Sequence, residues 1–257
     1  MATYKKRGYK PKNKEEEVEQ LEDNSTTAEV FNTLDEGASR TEEWVAANQK
    51  YIFIFVGAIA VVVLGWLGYQ KYIQEPKEQE ASNEMFQAQQ YFDNAVNGNT
   101  TVSDSLYTLA LNGGEGKYGF LEIIENYGGT DAANLAKYYA GFSYLNMNKY
   151  QDAINYLDDF KSDDEMLGPL ALGGIGDAFA QLDQMSEALG YYEKAAKAKN
   201  NDFTTPKFLL KAAITAISLD KPQVAITHLE KIKEEFSKSV EANQVDVHLG
   251  RAQGMLK

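Results

Sequence analysis

Three glycines of this chain have the spacing of a nucleotide-binding loop. Gly114, Gly116 and Gly119 match the pattern G-x-G-x-x-G. In a dinucleotide site this loop follows a strand, opens a βαβ unit and precedes an acidic residue by about twenty positions. The surrounding sequence has no parallel-sheet pattern, and its acidic residues are wrongly placed. The sequence therefore predicts a flexible glycine loop and no bound cofactor.

Other side chains that could support metal binding or catalysis are isolated or unsuitably spaced. His228 and His248 stand alone on predicted helices, away from any carboxylate pattern. The chain has no cysteine, which excludes disulfides and thiolate metal sites. Five acidic residues cluster around the end of one predicted helix and before the next: Asp158, Asp159, Asp163, Asp164 and Glu165. They lack the glycine and the alternate ligand spacing of a calcium loop, so we expect a solvated turn. Without a Ser/His/Asp or Cys/His arrangement, the protein is predicted not to be an enzyme.

The charge balance argues against nucleic acid as a partner. The net charge is −13 at pH 7, and residues 72–257, with 16 basic and 27 acidic residues, contribute −11 of it. Nucleic-acid binding depends on Lys and Arg side chains that neutralise phosphates. We therefore expect protein partners and no nucleic acid.

A membrane span is the clearest single element of the sequence. Residues 51–69 contain no charged side chain and would form a helix of roughly 28 Å, close to the hydrocarbon thickness of a bilayer. Aromatic residues flank the apolar run on both sides: Trp44, Tyr51, Trp66, Tyr69 and Tyr72. No cleavage site follows, so the sequence predicts an uncleaved signal anchor. The alternative is a buried helix of a soluble protein.

Basic residues decide the predicted orientation of the span. They lie in the N-terminal flank, at Lys5, Lys6, Arg7, Lys10, Lys12 and Lys14. Because Lys and Arg are enriched on the cytoplasmic side, we expect a cytoplasmic N-terminus and a large domain outside the cytoplasm. Small residues share one face of the span: Gly57, Ala58, Ala60, Gly65 and Gly68. Such a face lets a second transmembrane helix pack closely, although glycine is common in membrane helices generally.

The chain divides into four predicted segments. Residues 1–39 form a disordered, charged cytoplasmic tail with a short amphipathic segment. Residues 40–75 form the transmembrane signal-anchor helix. Residues 76–132 are an irregular first helical unit with an inserted loop, and residues 133–257 hold helical repeats and a capping helix.

Three breaks are expected within these segments. The amphipathic segment ends at Gly37, the membrane helix ends before Pro76, and residues 97–117 form an exposed inserted loop. This loop contains the tripeptide Asp104-Ser105-Leu106. In bacteria whose envelope proteins carry O-glycans on Asp-Ser/Thr-apolar tripeptides, Ser105 would be an acceptor.

Beyond the span the sequence predicts helices only, and it repeats itself with a period near 35 residues. The helices are expected at about 80–96, 118–127, 132–147, 150–160, 168–182, 185–198, 204–219, 222–236 and 239–255. Each repeat pairs a small residue of its first helix with one of its second: Gly141 with Ala153, Gly176 with Ala188, and Ala213 with Ala225. These pairs would let the two helices of a hairpin approach closely.

This pattern resembles the tetratricopeptide repeat family, whose units of about 34 residues carry a small-x-x-aromatic and an aromatic-x-x-Ala signature. The resemblance covers residues 133–236. It implies an all-α fold in which one transmembrane helix precedes a tetratricopeptide-repeat helical-hairpin solenoid. Residues 245–257 would form its C-terminal capping helix, with a polar outer face.

The family resemblance also implies a binding groove on the concave face of the stack. The candidates to line it are Leu135, Tyr138, Phe142, Leu145, Asp177, Gln181, Leu210, Ile214 and Ile217. The Lys, Arg and Asn residues of the family's two-carboxylate clamp are mostly missing. An extended or helical apolar peptide is therefore the expected ligand. Alternatively, the irregular first unit or the C-terminal helix of the chain fills the groove.

As a whole the chain is similar to the YfgM type of single-span tetratricopeptide protein from the bacterial inner membrane. The similarity rests on EEWVAANQKY before the span, Gly65-Trp66-x-x-Tyr69 at its exit, and GFLEIIENYGGTDAANLAKYYAG at the start of the repeats. It implies a periplasmic domain and association with the Sec translocon and with a membrane-anchored prolyl-isomerase-type chaperone. The expected function is an adaptor that presents the groove to emerging chains or to that chaperone. A scaffold of another envelope secretion or cell-wall assembly complex is the alternative.

Overall fold

The computed structural model describes residues 26–98 and 100–257 of the chain. Within these residues the regular structure is helical, apart from one isolated bridge inside the glycine loop. Contacts divide the chain into one unit up to Tyr69 and a second unit from Gln70 onward. The predicted all-α fold is confirmed, with one long apolar helix followed by a solenoid of helical hairpins.

The helices are numbered in chain order. They are α1, Thr26–Tyr69; α2, Glu75–Asn97; α3, Thr100–Asn112; α4, Phe120–Asn126; α5, Asp131–Asn146; α6, Tyr150–Asp159; α7, Leu167–Gln181; α8, Met185–Ala198; α9, Thr204–Ser218; α10, Pro222–Glu235; and α11, Ala242–Gly254. A five-residue π-helical turn, Gln70–Gln74, connects α1 to α2.

Helix α1 contains the predicted span. Nearly all of its large apolar side chains between Tyr51 and Tyr69 are exposed. Leaving so much apolar surface in water is unfavourable by roughly 25 cal/mol per Å². Among the described residues, this helical segment alone is long and apolar enough to cross a membrane. The predicted disordered tail over residues 1–24 lies outside the described part of the chain.

Two predicted helix ends are wrong. Helix α1 continues through Gly37, because a glycine inside a helix costs only about 1 kcal/mol and does not by itself end it. After the π-helical turn the chain enters α2 directly, so the helical segment does not stop before Pro76. Pro76 instead occupies the first turn of α2, the one helical position that tolerates proline well.

The start of α2 is bound to the loop that precedes α5. Gln74 and Lys77 donate hydrogen bonds of 2.7 and 2.9 Å to two carbonyl oxygens of residues 128–129. Glu78 accepts hydrogen bonds of 2.6 and 2.8 Å from the first two backbone N–H groups of α5. A carboxylate in this place satisfies donors that the helix leaves unpaired. The start of α2 thus binds the N-terminal end of α5, the first helix of the repeats.

The predicted inserted loop is also wrong, because most of it forms α3. Tyr107, Ala110 and Leu111 recur at helical spacing and are buried. The ring of Tyr107 packs edge-on against Phe92 of α2, with centroids 5.8 Å apart. Burying this apolar face stabilises a helix that has no repeat signature in the sequence.

The turns inside the three hairpins share one backbone geometry. Asn148, Asp183 and Asp220 adopt left-handed conformations with φ of 59°, 63° and 56°. In each turn the next residue donates its N–H to the carbonyl oxygen five positions earlier, at 2.9 Å in all three cases. Asn and Asp tolerate this region better than most residues, and the hydrogen bond closes the preceding helix. The backbone therefore repeats three times, in agreement with the sequence period.

The small residues of the repeat lie where the helices touch, as predicted. A Cβ atom on Gly141 would lie 2.5 Å from Cγ of Leu157, and one on Gly176 would lie 2.7 Å from the ring of Tyr192. The alanines that complete the pattern are fully buried: Ala153, Ala188, Ala213 and Ala225. Any larger side chain at these positions would force the two helices apart.

Two glycines of the stack should respond oppositely to alanine. A Cβ atom on Gly173 of α7 would lie 1.9 Å from Cε1 of the buried Phe208 of α9. We expect Gly173→Ala to lower the free energy of unfolding by about 1–3 kcal/mol, because the repeat helices must separate. Gly190, inside α8, has no atom within 4 Å of an added Cβ, so Gly190→Ala should raise it by about 0.5–1 kcal/mol. Urea denaturation of both variants measures the change in the free energy of unfolding. Equal changes would contradict the observed register of α7 against α9.

Candidate functional site

At its first hairpin, the face that the repeat pattern assigns to the groove is filled by the chain's own side chains. Tyr138 and Phe142 of α5 are partly buried, with ring centroids 4.7 Å apart, and Tyr138 lies 5.3 Å from Phe160. The tip of Phe142 reaches α7, where a Cβ atom on Gly174 would lie 3.0 Å from it. Burial raises the pKa of Tyr138 to about 12. Phe142 is therefore chiefly a packing residue between α5 and α7.

Two predicted groove residues belong to the core instead. Leu210 and Ile217 are only 6% and 4% exposed, so their assignment to an open groove is wrong. Helix α9 packs against α7, α8, α10 and α11, which leaves little of its surface free. Leu135 is partly buried beside the core that α2–α5 form, and Leu145 beside the core between α6 and α7.

The remaining candidates lie on α7 and α9. Asp177, Gln181 and Ile214, together with Lys211, are named here the α7–α9 strip. Asp177 accepts a hydrogen bond of 2.8 Å from Nζ of Lys211 on one carboxylate oxygen. Its other oxygen accepts a bond of 2.6 Å from the hydroxyl of Tyr192. The side chains of Lys211 and Asp177 are still 35% and 36% exposed, so the pair is open to a ligand.

Tyr192 contacts both members of the charged pair. Its ring is buried and lies 5.5 Å from Nζ of Lys211, within the range of a cation–π contact. Burial, reinforced by the carboxylate of Asp177, raises the pKa of Tyr192. The phenol therefore stays neutral and remains a hydrogen-bond donor to Asp177. The three groups form a fixed polar site rather than two freely rotating charges.

An apolar position lies one turn beyond the ion pair. Gly173 faces Phe208 and Asp177 faces Lys211, so α7 and α9 run in parallel register. One turn beyond Lys211 on α9 lies Ile214, which is 40% exposed. Gln181, at the end of α7, accepts a hydrogen bond of 3.4 Å from the hydroxyl of Tyr150 of α6. A charged pair with an exposed isoleucine one turn away can bind a peptide through both polar and apolar contacts.

Two members of this site were missed from the sequence. Lys211 follows Leu210, the residue that the repeat pattern assigned to the groove. Its partner, Asp177, lies one repeat earlier in the chain. The signal was an acidic and a basic residue about one repeat apart, on facing helices. Tyr192 belongs to the aromatic-x-x-Ala signature of the second repeat, as Tyr192-x-x-Ala195. That signature does not reveal that its hydroxyl reaches Asp177.

His228 is not isolated, contrary to the prediction. Its Nε2 lies 2.9 Å from Oε1 of Glu193, and its side chain is only 13% exposed. In the earlier repeats the corresponding positions are Tyr156 and Tyr191, whose rings stack on Tyr144 and Phe179. The third repeat has no aromatic partner there, so the histidine pairs with the neighbouring hairpin.

The acidic run lies at the end of α6 and in the loop to α7, where its carboxylates are exposed. Asp164 accepts hydrogen bonds of 2.8 and 2.7 Å from the N–H groups of Leu167 and Met166. These bonds lower its pKa because they stabilise the carboxylate. In the described part of the chain, no group of three or more His, Cys, Asp or Glu side chains could hold a metal ion.

The other predicted sites remain predictions. Ser105 lies on an exposed position of α3 and not in a loop. On the proposed packing face of α1, Gly57, Gly65 and Gly68 have no atom within 4 Å of an added Cβ, and Ala58 and Ala60 are exposed. None of the residues that the structure describes covers that face.

Comparison with known proteins identifies the repeat. Residues 135–164, which include most of α5 and all of α6, match the family model of the tetratricopeptide repeat. The hairpins form a tetratricopeptide-repeat solenoid. No curated protein and no solved structure matches the chain. Tetratricopeptide repeats indicate an adaptor role in protein–protein interactions, and their all-helical fold is typical of non-enzymatic scaffolds.

Proposed function

We propose that this protein is a membrane-anchored adaptor that binds other proteins through the α7–α9 strip and catalyses no reaction. The observation that carries the proposal is the exposed Ile214 beside the fixed Asp177–Lys211 pair, on a tetratricopeptide stack that follows one apolar helix. Surfaces that combine apolar and charged residues in this way supply much of the binding free energy of protein–protein interfaces. The strip replaces the first hairpin as the centre of the groove, because Tyr138 and Phe142 are engaged in packing.

We further propose that the adaptor serves the Sec translocon and presents its strip in the periplasm. Support comes from the similarity of the anchor and of the first repeat to the YfgM type of protein. The partners would be translocon subunits, chains that emerge from the translocon, and a membrane-anchored prolyl-isomerase-type chaperone. The small-residue face of α1 offers a second contact, with a transmembrane helix of the same complex.

The orientation can be tested with single cysteines, since the natural chain has none. Ser237 is exposed between α10 and α11, and Ser25 precedes α1. We expect a membrane-impermeant maleimide to label Ser237→Cys but not Ser25→Cys in spheroplasts with intact inner membranes. Labelling of position 25 alone would reverse the orientation and exclude a periplasmic role.

Co-purification from native membranes tests the partners. The tagged full-length protein, extracted in a mild detergent, should recover translocon subunits and the anchored chaperone. Ile214→Asp should reduce recovery of the groove partner by about tenfold or more, because it introduces a charge into an apolar contact. Glu187→Leu, on the exposed face of α8, is the matched control and should leave recovery unchanged. Recovery of a cell-wall assembly or other secretion complex instead would contradict the Sec assignment while leaving the adaptor role intact.

A further inference from the structure

Helix α11 has the position of a first helix in a fourth repeat. It packs on α9 and α10, the two helices of the third hairpin, through the buried side chains of Val245 and Ala252. Residues at the same repeat positions are buried in all three hairpins: Ala136, Ala171 and Phe208 correspond to Val245, and Ser143, Ala178 and Thr215 correspond to Ala252. One side of α11 therefore packs on the preceding hairpin as the earlier first helices do.

The side of α11 on which a second helix would pack is open. The small residue that marks this side recurs at Gly250, which corresponds to the buried Ala213 of the third hairpin. In the first two hairpins the corresponding glycines touch the second helix, at Leu157 and Tyr192. An added Cβ on Gly250 would have no described residue within 4 Å, and Gln253, one turn later, is exposed as well. The repeat thus places a helix-docking side on α11 that no described residue covers.

The repeat pattern, and not exposure alone, distinguishes this surface from others. Phe86 and Val102 are also exposed, but they lie on α2 and α3, which precede the repeats. On α11 the exposed Val247 lies three residues before Gly250, and therefore about one turn away on adjoining surface. The surface is named here the open face of α11, and it consists of Asp246, Val247, Gly250 and Gln253.

The charges along α11 are complementary to those of a second, antiparallel α11. Glu241 and Asp246 lie at its start and in its first half, whereas Arg251 lies in its last turn and Lys257 follows it. Antiparallel pairing brings the acidic half of each helix beside the basic half of the other, and it also aligns the helix dipoles favourably. The side chain of Asp246 is 80% exposed although Nζ of Lys233 lies 2.8 Å from it, so it can bind a second cation.

We propose that two copies of this chain associate through α11, and that each copy supplies the helix that covers the open face of the other. A two-fold axis makes the two helices antiparallel, which is also the direction of the second helix in each hairpin. The small Gly250 lets the helices approach closely, beside Val247. One helix of 13 residues from each copy forms the contact, so we expect a weak, reversible dimer. The inference requires neither a membrane nor a Sec partner.

Disulfide crosslinking of the full-length protein in a mild detergent tests the association. The natural chain has no cysteine, so Gly250→Cys introduces a single thiol close to the two-fold axis. Gly190→Cys on α8 is the matched control, because an added Cβ there likewise has no atom within 4 Å. We expect oxidation to link two copies of Gly250→Cys about tenfold faster or more, since a preformed pair raises the effective concentration of the thiols.

Charge reversal tests the direction of the two helices. In the Gly250→Cys background, Arg251→Glu should slow crosslinking about fivefold or more at low salt, because it places like charges together. Adding Asp246→Lys to that variant should restore the rate, since the two halves of α11 are then complementary again. Both side chains are exposed, and circular dichroism verifies that each variant remains folded.

Three results would overturn the proposal. The first is equal crosslinking of Gly250→Cys and Gly190→Cys, which random collision or association through α1 alone would give. The second is an Arg251→Glu variant that crosslinks as fast as its parent. The third is a double charge reversal that crosslinks as slowly as Arg251→Glu alone, which would contradict the antiparallel pairing.

Discussion

The close approach of helices at small residues is the constraint on which the rest of the repeat unit depends. At Gly141, Gly173 and Gly176 a single added Cβ atom would overlap a side chain of the facing helix. Gly141 and Gly176 allow the close contact inside their hairpins, and Gly173 sets the register between the second and third hairpins. That register brings Asp177 of α7 opposite Lys211 of α9. The formation of the Asp177–Lys211 pair therefore depends on the packing of Gly173, one turn earlier on α7, against α9.

The same packing explains why the free surface lies between the second and third hairpins. In the first hairpin, Tyr138 and Phe142 turn towards α6 and α7 and fill the space themselves. In the third, α9 packs against four helices, and Leu210 and Ile217 are buried. Ile214 is the large apolar residue of α9 that stays exposed. The groove that the repeat pattern predicts along the whole stack is thus limited to the α7–α9 strip.

The sequence predicted the elements that depend on local pattern. The span, the helical period and the small residues at hairpin contacts follow from composition and spacing, and the helices of the three hairpins lie where expected. Helix α3 was missed because it carries no repeat signature and is stabilised by burial against α2. The Asp177–Lys211 and Glu193–His228 pairs were missed because they join neighbouring hairpins, whose mutual rotation is set by packing. The burial of Leu210 depends on the packing of four helices around α9, which the repeat pattern does not reveal.

The central claim is that the α7–α9 strip is a protein-binding surface, and site-specific photocrosslinking in living cells tests it most directly. A photoreactive phenylalanine analogue replaces Ile214 in the full-length protein, and replaces the exposed Glu187 of α8 in the control. The account predicts discrete crosslinks to other proteins from position 214 and none of the same products from position 187. An absence of crosslinks at position 214, or the same products from both positions, would contradict it.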